Sequence, residues 1–338
     1  MSNHDELGGR LSEQELCPSK LLAEQEAAFQ RDIARLHARS DEFVDVACPA
    51  CAGINGAHVF KKYNFSFRKC SDCQTIFMSP RPSEGVLSDY YSNSENYAYW
   101  AKFIFPASES SRKEKIHKPW LKRVLSYCEE FNVKRDLLLE IGPGFGTFCA
   151  VATEAKSFKR VVGVEPTPEL AQACRDRGVE VVESRVEDLD DNLIGADVVV
   201  AFEVIEHLFD PRAFLQGIRS KMNSGGLLIL SCPNGLGFDI AMLKEKALAV
   251  DAEHVNLFNP KSLTGLLKAV GFDVVRAHTP GRLDAEFVRD GALNGDISLD
   301  PFLQKVLVDE WETLGWPFQQ FLASNGLSSH MWIVSTLR

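Results

Sequence analysis

Two groups of residues in this chain have types and spacings that could do chemistry. The first is Cys48-Pro-Ala-Cys51 with Cys70-Ser-Asp-Cys73. Two thiolates three positions apart on a tight knuckle can grip one cation, and two such knuckles complete a tetrahedral sulfur site for Zn2+. With every coordination position held by sulfur, water and substrate are shut out, so the pattern predicts a structural ion. The second group is the pair Glu206-His207 in FEVIEHLFDP, together with His254 in DAEHVNLFNP. An imidazole of ordinary pKa, about 6.5, is neutral at pH 7 and can take a proton from a hydroxyl or a carbon acid. Two histidines on adjacent strand ends could serve as base and orienting partner. The same residues also have a structural reading, with Glu206 capping or pairing locally, His207 packed under a ligand and His254 satisfied within its loop. His4, His37, His58, His117, His278 and His330 have no comparable placement and read as surface or structural.

A ligand site is written into LLLEIGPGFGTF, residues 137–148, where Gly142, Gly144 and Gly146 alternate behind an apolar run. A glycine-rich turn after a strand lets backbone approach a ligand without a Cβ clash, and alone it does not separate dinucleotides from other adenosine cofactors. Glu140 discriminates. It stands at the strand tip, where a dinucleotide would bring its pyrophosphate to the helix N-terminus. At an effective dielectric of about 20, each such like-charge pair a few Å apart costs several kcal/mol. S-adenosylmethionine has no phosphate and carries a sulfonium and an ammonium, so a carboxylate there suits it. Glu165, about twenty residues further on, can accept from both ribose hydroxyls, as an acid at this place does in dinucleotide folds as well. The expected cofactor contacts are Glu140, Gly142, Pro143, Gly144, Gly146, Glu165 and Pro166, with Phe202 at a later strand tip and Tyr91 from an aromatic segment.

The elements that must position these residues follow from periodicity. From residue 137 strands and helices alternate, the pattern of parallel βα units. Strands are predicted at 137–141, 160–165, 179–184, 195–202 and 226–232, then in FDVVRAHTP and HMWIVSTLR. Proline in the first helical position after a capping residue marks helix starts at Thr167-Pro168, Asp210-Pro211 and Asn259-Pro260. Upstream, Leu22, Phe29, Ile33 and Leu36 share one face of an amphipathic helix, read as a packing or a dimerisation element. The chain divides into a helical segment (1–42), a zinc-ribbon module (43–83) and an α/β domain (84–338). That domain contains an aromatic segment, YYSNSENYAYWAKFIFP, and an insertion at 280–328 with Trp311, Trp316 and Phe318. Both are placed over the substrate site, where Tyr90, Tyr91, Tyr97 and Trp100 could stack on a ring or cover a ligand tail.

Six ordered motifs resemble the class I S-adenosylmethionine-dependent methyltransferases: EIGPGFGTF, VVGVEPTPEL, SRVEDL, ADVVVAFEVIEHLFDP, GLLILSCPN and EHVNLFNPKSLTGLLKAVGF. The resemblance implies a Rossmann-like seven-stranded sheet whose last strand is antiparallel, with the cofactor across the C-terminal strand edges. It also implies adenine contacts near Val186 and Glu187, although Arg185 replaces an acid carried by many relatives, and it places the Glu-His pair beside the substrate. Knuckles joined to such a core look like methyltransferases of bacterial sugar and polysaccharide pathways, which implies a nucleotide-linked sugar as acceptor.

Composition sets the bounds. Of 338 residues, 45% are apolar and 25% charged, as in ordinary globular proteins. The net charge of −10 argues against a surface built for nucleic acid or anionic lipid. Nine cysteines without an export signal point to ligands and free thiols. No stretch reads as a signal peptide or a bilayer span, so a cytoplasmic enzyme with a small-molecule substrate and no membrane partner is expected. A second reading makes the module a reader that docks RNA or a protein for methylation. The near balance of Lys61, Lys62, Arg68, Lys69 and Arg81 against Asp45, Asp72 and Glu84 counts against it. A third makes the chain a binding protein without turnover, since fold does not prove activity.

Overall fold

The computed structural model describes residues 11–190 and 193–338, so the start of the predicted N-terminal segment, with His4, lies outside the described residues. The predicted amphipathic helix spans Ser19–His37 and buries Phe29, Ile33 and Leu36. It also buries Asp32, which accepts from Ser94 Oγ at 2.6 Å and from the Glu95 and Asn96 N–H groups at 3.1 and 2.9 Å. An acid on one helix thus supplies the donor-rich N-terminus of another, Glu95–Tyr99, with its acceptor. The helix packs on the aromatic segment of its own chain.

The module follows as β1 (Phe43–Val44), β2 (Gly56–Lys62), β3 (Phe65–Cys70), β4 (Ile76–Met78) and β5 (Arg81–Pro82). β2 and β3 form an antiparallel hairpin turned by Tyr63 and Asn64, both at positive φ (50° and 64°), the two-residue geometry that matches strand twist. β4 pairs with β3, and β1 with β5.

The α/β core holds β6 (Leu137–Ile141), β7 (Arg160–Val164), β8 (Glu180–Val182), β9 (Ala196–Phe202), β10 (Met222–Pro233), β12 (Phe272–His278) and β13 (His330–Leu337); β11 (Asn256–Leu257) belongs elsewhere. The sheet order is β12-β13-β10-β9-β6-β7-β8. β6 pairs in parallel with β7 and β9, as do β7 with β8 and β9 with β10, while β13 runs antiparallel to both neighbours. All seven residues of β9 are buried, the signature of a strand with helices on both sheet faces. Two strand limits differ from expectation. The third is shorter, and β10 starts at Met222 because the pairing with β9 jumps between Met222 and Leu227, around the glycines at 225 and 226.

Because the order reverses between β6 and β9, their C-terminal ends flank a crevice, where ligands of open α/β sheets bind. The unexpected strand is β11. It joins the module sheet by antiparallel pairing to β4, with Asn256 opposite Phe77 and Leu257 opposite Ile76. The module is therefore continuous with the loop that follows β10. One apolar cluster unites Phe29, Phe67, Met78, Tyr90, Val255 and Leu307, drawn from the N-terminal helix, the module, the aromatic segment, that loop and the insertion. Among the described residues no helix is long and apolar enough to cross a membrane.

Candidate active site

The crevice has two ends, the glycine loop where the sequence places the cofactor and the Glu-His turn where it places the acceptor, termed the cofactor end and the acceptor end. At the cofactor end Gly142, Gly144 and Gly146 all have positive φ, at 69°, 54° and 72°. They are needed for different reasons. A Cβ on Gly142 would lie 2.7 Å from Val204 Cγ2 and one on Gly146 2.8 Å from Cys174 Sγ, whereas a Cβ on Gly144 would meet nothing within 4 Å. Gly142 and Gly146 serve close packing, and Gly144 leaves backbone open to a ligand. Glu165, buried at the end of β7, accepts from the Gly144 N–H at 3.2 Å and the Thr167 N–H at 3.0 Å. Burial raises its pKa.

Glu140 is 4% exposed, and its Oε2 accepts from the Cys149 N–H at 3.0 Å, tying the strand tip to the first turn of helix Thr147–Glu154. Burial lifts its carboxyl to about 7 even against this donor, with Glu165 adding to the rise. The acid foreseen as a cation's partner is thus also a helix staple. Pro143 is buried, Pro166 is exposed and Val186 is buried in the short turn Val186–Asp188. Arg185 pairs with Glu84 at 2.9 Å and Glu187 at 3.3 Å. Phe202 sits in an aromatic cluster, with ring centroids 4.6 Å from Trp120, 5.0 Å from Phe148 and 5.1 Å from Trp332. These three rings hold Phe202, the residue that the sequence places at the cofactor, at the tip of β9. Over the glycine loop itself lies Phe105, 3.9 Å from Phe145.

At the acceptor end the short turn Ile205–His207 follows β9. Glu206 is fully buried, and neither of its carboxylate oxygens has a hydrogen-bond partner. Burial, with the Glu203 charge next, pushes its pKa well up. The His207 and His254 rings lie 4.7 Å apart, as the two loops predicted. His207 donates from Nδ1 to the Glu253 carbonyl at 3.3 Å, and burial, followed by the charge of His254, pulls its pKa down to about 3. His254 Nδ1 lies 3.1 Å from Asp251 Oδ2 and 3.0 Å from the Ala249 carbonyl. Burial alone would lower this histidine, but Asp251 outweighs it and lifts it to about 10. The two rings thus differ in charge at neutral pH, His207 neutral and His254 cationic.

Several neighbours escaped the sequence reading. Glu253 accepts from the Tyr90 hydroxyl and from Asn96 Nδ2 at 3.0 Å, while Tyr91 donates to its carbonyl at 3.4 Å. Tyr91 meets His207 edge-on at 5.9 Å, so it belongs with the acceptor end. His330, read as structural, donates to Glu203 at 2.9 Å because its strand pairs it with Pro233 at the tip of β10. Glu203 also accepts from Ser231 Oγ at 2.6 Å and stands at φ 55° without being glycine, a strain typical of functional sites. The insertion shares its apolar cluster with the aromatic segment and with the loop that carries His254. Phe318 lies against Phe238 at 5.3 Å and Trp311 under Arg289, while the ring that meets His207 directly is Tyr91 of the aromatic segment.

The four cysteines converge, with their sulfurs all within 4.8 Å of one another. The Cys48–Cys73 and Cys51–Cys70 sulfurs are 3.4 and 3.6 Å apart, near the roughly 3.8 Å edge of a tetrahedron with Zn–S bonds of about 2.3 Å. Each knuckle closes by a backbone bond, Ala52 N–H to the Cys48 carbonyl at 2.8 Å and Gln74 N–H to the Cys70 carbonyl at 3.0 Å. This donor set fits Zn2+. Asn259 Nδ2 donates to the Cys73 carbonyl at 2.9 Å while its Oδ1 caps helix Pro260–Val270.

Sheet order, glycine loop and acid-tipped second strand together define a Rossmann-like methyltransferase fold. Residues 112–277 match the family model described as a methyltransferase domain. The C-methyltransferase NovU of Streptomyces niveus is 28% identical over 150 residues, covering 43% of this chain and 34% of that one. A ubiquinone biosynthesis O-methyltransferase of Azorhizobium caulinodans is 31% identical over 156 residues, covering 44% and 55%. A solved S-adenosylmethionine-dependent methyltransferase from Clostridium acetobutylicum superposes with a TM-score of 0.46 at 11% identity, covering 70% of this chain and 98% of that one. The chain spans from 33% to 65% of the length of the curated relatives it matches.

Proposed function

We propose that this chain is an S-adenosylmethionine-dependent methyltransferase for a small-molecule acceptor, with nucleotide-linked sugars the first class to screen. The observation that carries the reading is the juxtaposition, at neighbouring strand tips, of an open glycine-and-acid cradle and a buried acid–histidine cluster. S-adenosylmethionine, when bound, supplies an electrophilic methyl group on sulfur. Gly144 and Glu165 would take its ribose end, and Glu140 suits its positive charge. His207, neutral and fixed through Nδ1, keeps Nε2 for an acceptor proton, and cationic His254 stands beside the buried Glu206. Tyr90, Tyr91 and Tyr97 cover this end, which favours a compact acceptor. The names of the Streptomyces niveus and Azorhizobium caulinodans relatives agree with methyl transfer to carbon or oxygen.

Calorimetric titration with S-adenosylmethionine and with NAD tests the cofactor, and heat evolved only with NAD would overturn the assignment. Release of S-adenosylhomocysteine against nucleotide-linked sugars, with RNA as the competing substrate, tests the acceptor. Gly144→Val should reduce S-adenosylmethionine affinity at least about tenfold, because it fills the open space and forces a branched residue into left-handed backbone. The same calorimetry reads it.

A further inference from the structure

We propose that Glu206, His207 and His254 form a second metal site, separate from the four cysteines, that holds one divalent transition-metal ion beside the acceptor. One ligand atom from each lies within 4.8 Å of the others. The Glu206 carboxylate is fully buried, and both oxygens lack a hydrogen-bond donor. A buried carboxylate of that kind is costly unless a cation or donors satisfy it. Both histidines are prepared as ligands by what holds their other nitrogen. Nδ1 of His207 is taken by the Glu253 carbonyl at 3.3 Å, and Nδ1 of His254 by Asp251 and the Ala249 carbonyl at 3.1 and 3.0 Å. This leaves Nε2 as the ring atom available to an ion: with the ion bound, His254 gives up its Nε2 proton and His207 serves as a ligand in place of proton acceptor, and a carboxylate–histidine–metal relay of the His254 type is a recurrent outer-shell arrangement.

Two imidazoles and one carboxylate suit divalent ions of the first transition row and leave positions open, unlike the closed sulfur site. An acceptor hydroxyl bound at an open position would have its pKa lowered, so that its proton leaves to water. The oxygen–carbon bond would then form as the carbon–sulfur bond of the donor breaks, with the electron pair remaining on sulfur. The role of the ion in catalysis rests on the methyltransferase reading above; its binding does not.

The test is a titration with Mn2+ of the full chain given one equivalent of Zn2+, which the four thiolates take first, followed by loss of the free-ion electron paramagnetic resonance signal and by thermal shift, Mn2+ being a poor partner for thiolate. The expected result is one Mn2+ per chain and a raised melting temperature. Glu206→Gln, nearly isosteric and relieved of its charge, should stay folded and lose binding by more than about a hundredfold, and Asp251→Asn should lose about 10–100-fold. Failure of the wild-type chain to bind Mn2+ up to millimolar ion, or equal binding by Glu206→Gln, would overturn the site. Mn2+ binding without any S-adenosylmethionine binding would instead remove the methyltransferase reading and leave the site standing. Turnover unaffected by removal of that ion would refute the catalytic role alone.

Discussion

Replacing His207 by alanine should lower the rate of methyl transfer by about 10²–10⁴-fold while leaving S-adenosylmethionine affinity within a few-fold of wild type. The separation of the two effects is geometric. The cofactor end is built from β6, β7 and the glycine loop, with Glu165 on Gly144 and Glu140 on Cys149. His207 stands on the turn after β9 and is held by Glu253, Tyr91 and His254. Its loss removes an imidazole that lies beside the unsatisfied Glu206 without touching the glycine loop. His254→Ala should depress turnover as well, since it deletes the charge that faces Glu206 and frees Asp251. Single-turnover release of S-adenosylhomocysteine, set beside calorimetric affinity, keeps chemistry apart from binding. Unchanged rates in both variants would show that the acceptor proton is removed elsewhere.

The four-cysteine cluster fits Zn2+, and removing that ion by chelation or by Cys73→Ser should abolish turnover and lower stability by several kcal/mol. Zinc contributes about 10–16 kcal/mol in small finger peptides, where nothing else holds the fold. Here part of that loss is offset, because Phe65, Phe67 and Met78 are packed into an apolar cluster shared with the rest of the chain. The effect on turnover comes through the backbone. Met78 N–H donates to the Val255 carbonyl at 2.9 Å, Asn256 lies opposite Phe77, and Arg81 donates to Asn256 Oδ1 at 2.9 Å. Those bonds hold the two residues directly after His254. Far-ultraviolet circular dichroism should retain most of the helical signal, melting should shift downward, and cofactor affinity should fall less than turnover. A verified zinc-free chain with unaltered melting and rate would refute this coupling.

The sheet was legible because its strands are continuous apolar runs bounded by glycine, proline and capping residues. ADVVVAF can be little else than a strand covered on both faces, and Asn259-Pro260 with Gly271 brackets its helix at both ends. The cysteine knuckles were legible because ligand spacing is local. The remainder depended on long-range pairing. A two-residue strand such as Asn256–Leu257 has no period to read, and its partner lies in another part of the chain. His330 carries no motif, and only the register of β13 against β10 brings it to Glu203. Asp251 lay in view, three residues before His254, but its effect needs the distance between them and the burial around them. The packing of Phe202 on Trp120 and Trp332 was equally out of reach, since a strand-tip aromatic looks the same in sequence whatever rings surround it.

The pairing of β4 with β11 bears on how such a chain can be re-engineered. Residues 43–83 look like a transplantable cassette, yet their sheet is finished by a ribbon from the far side of the catalytic fold. A chimera that exchanges the cassette alone would inherit an orphaned edge at both ends of the graft, whereas one that carries residues 249–259 along with it keeps the seam intact. Selectivity for the acceptor and loyalty to the metal knuckles must therefore be inherited together.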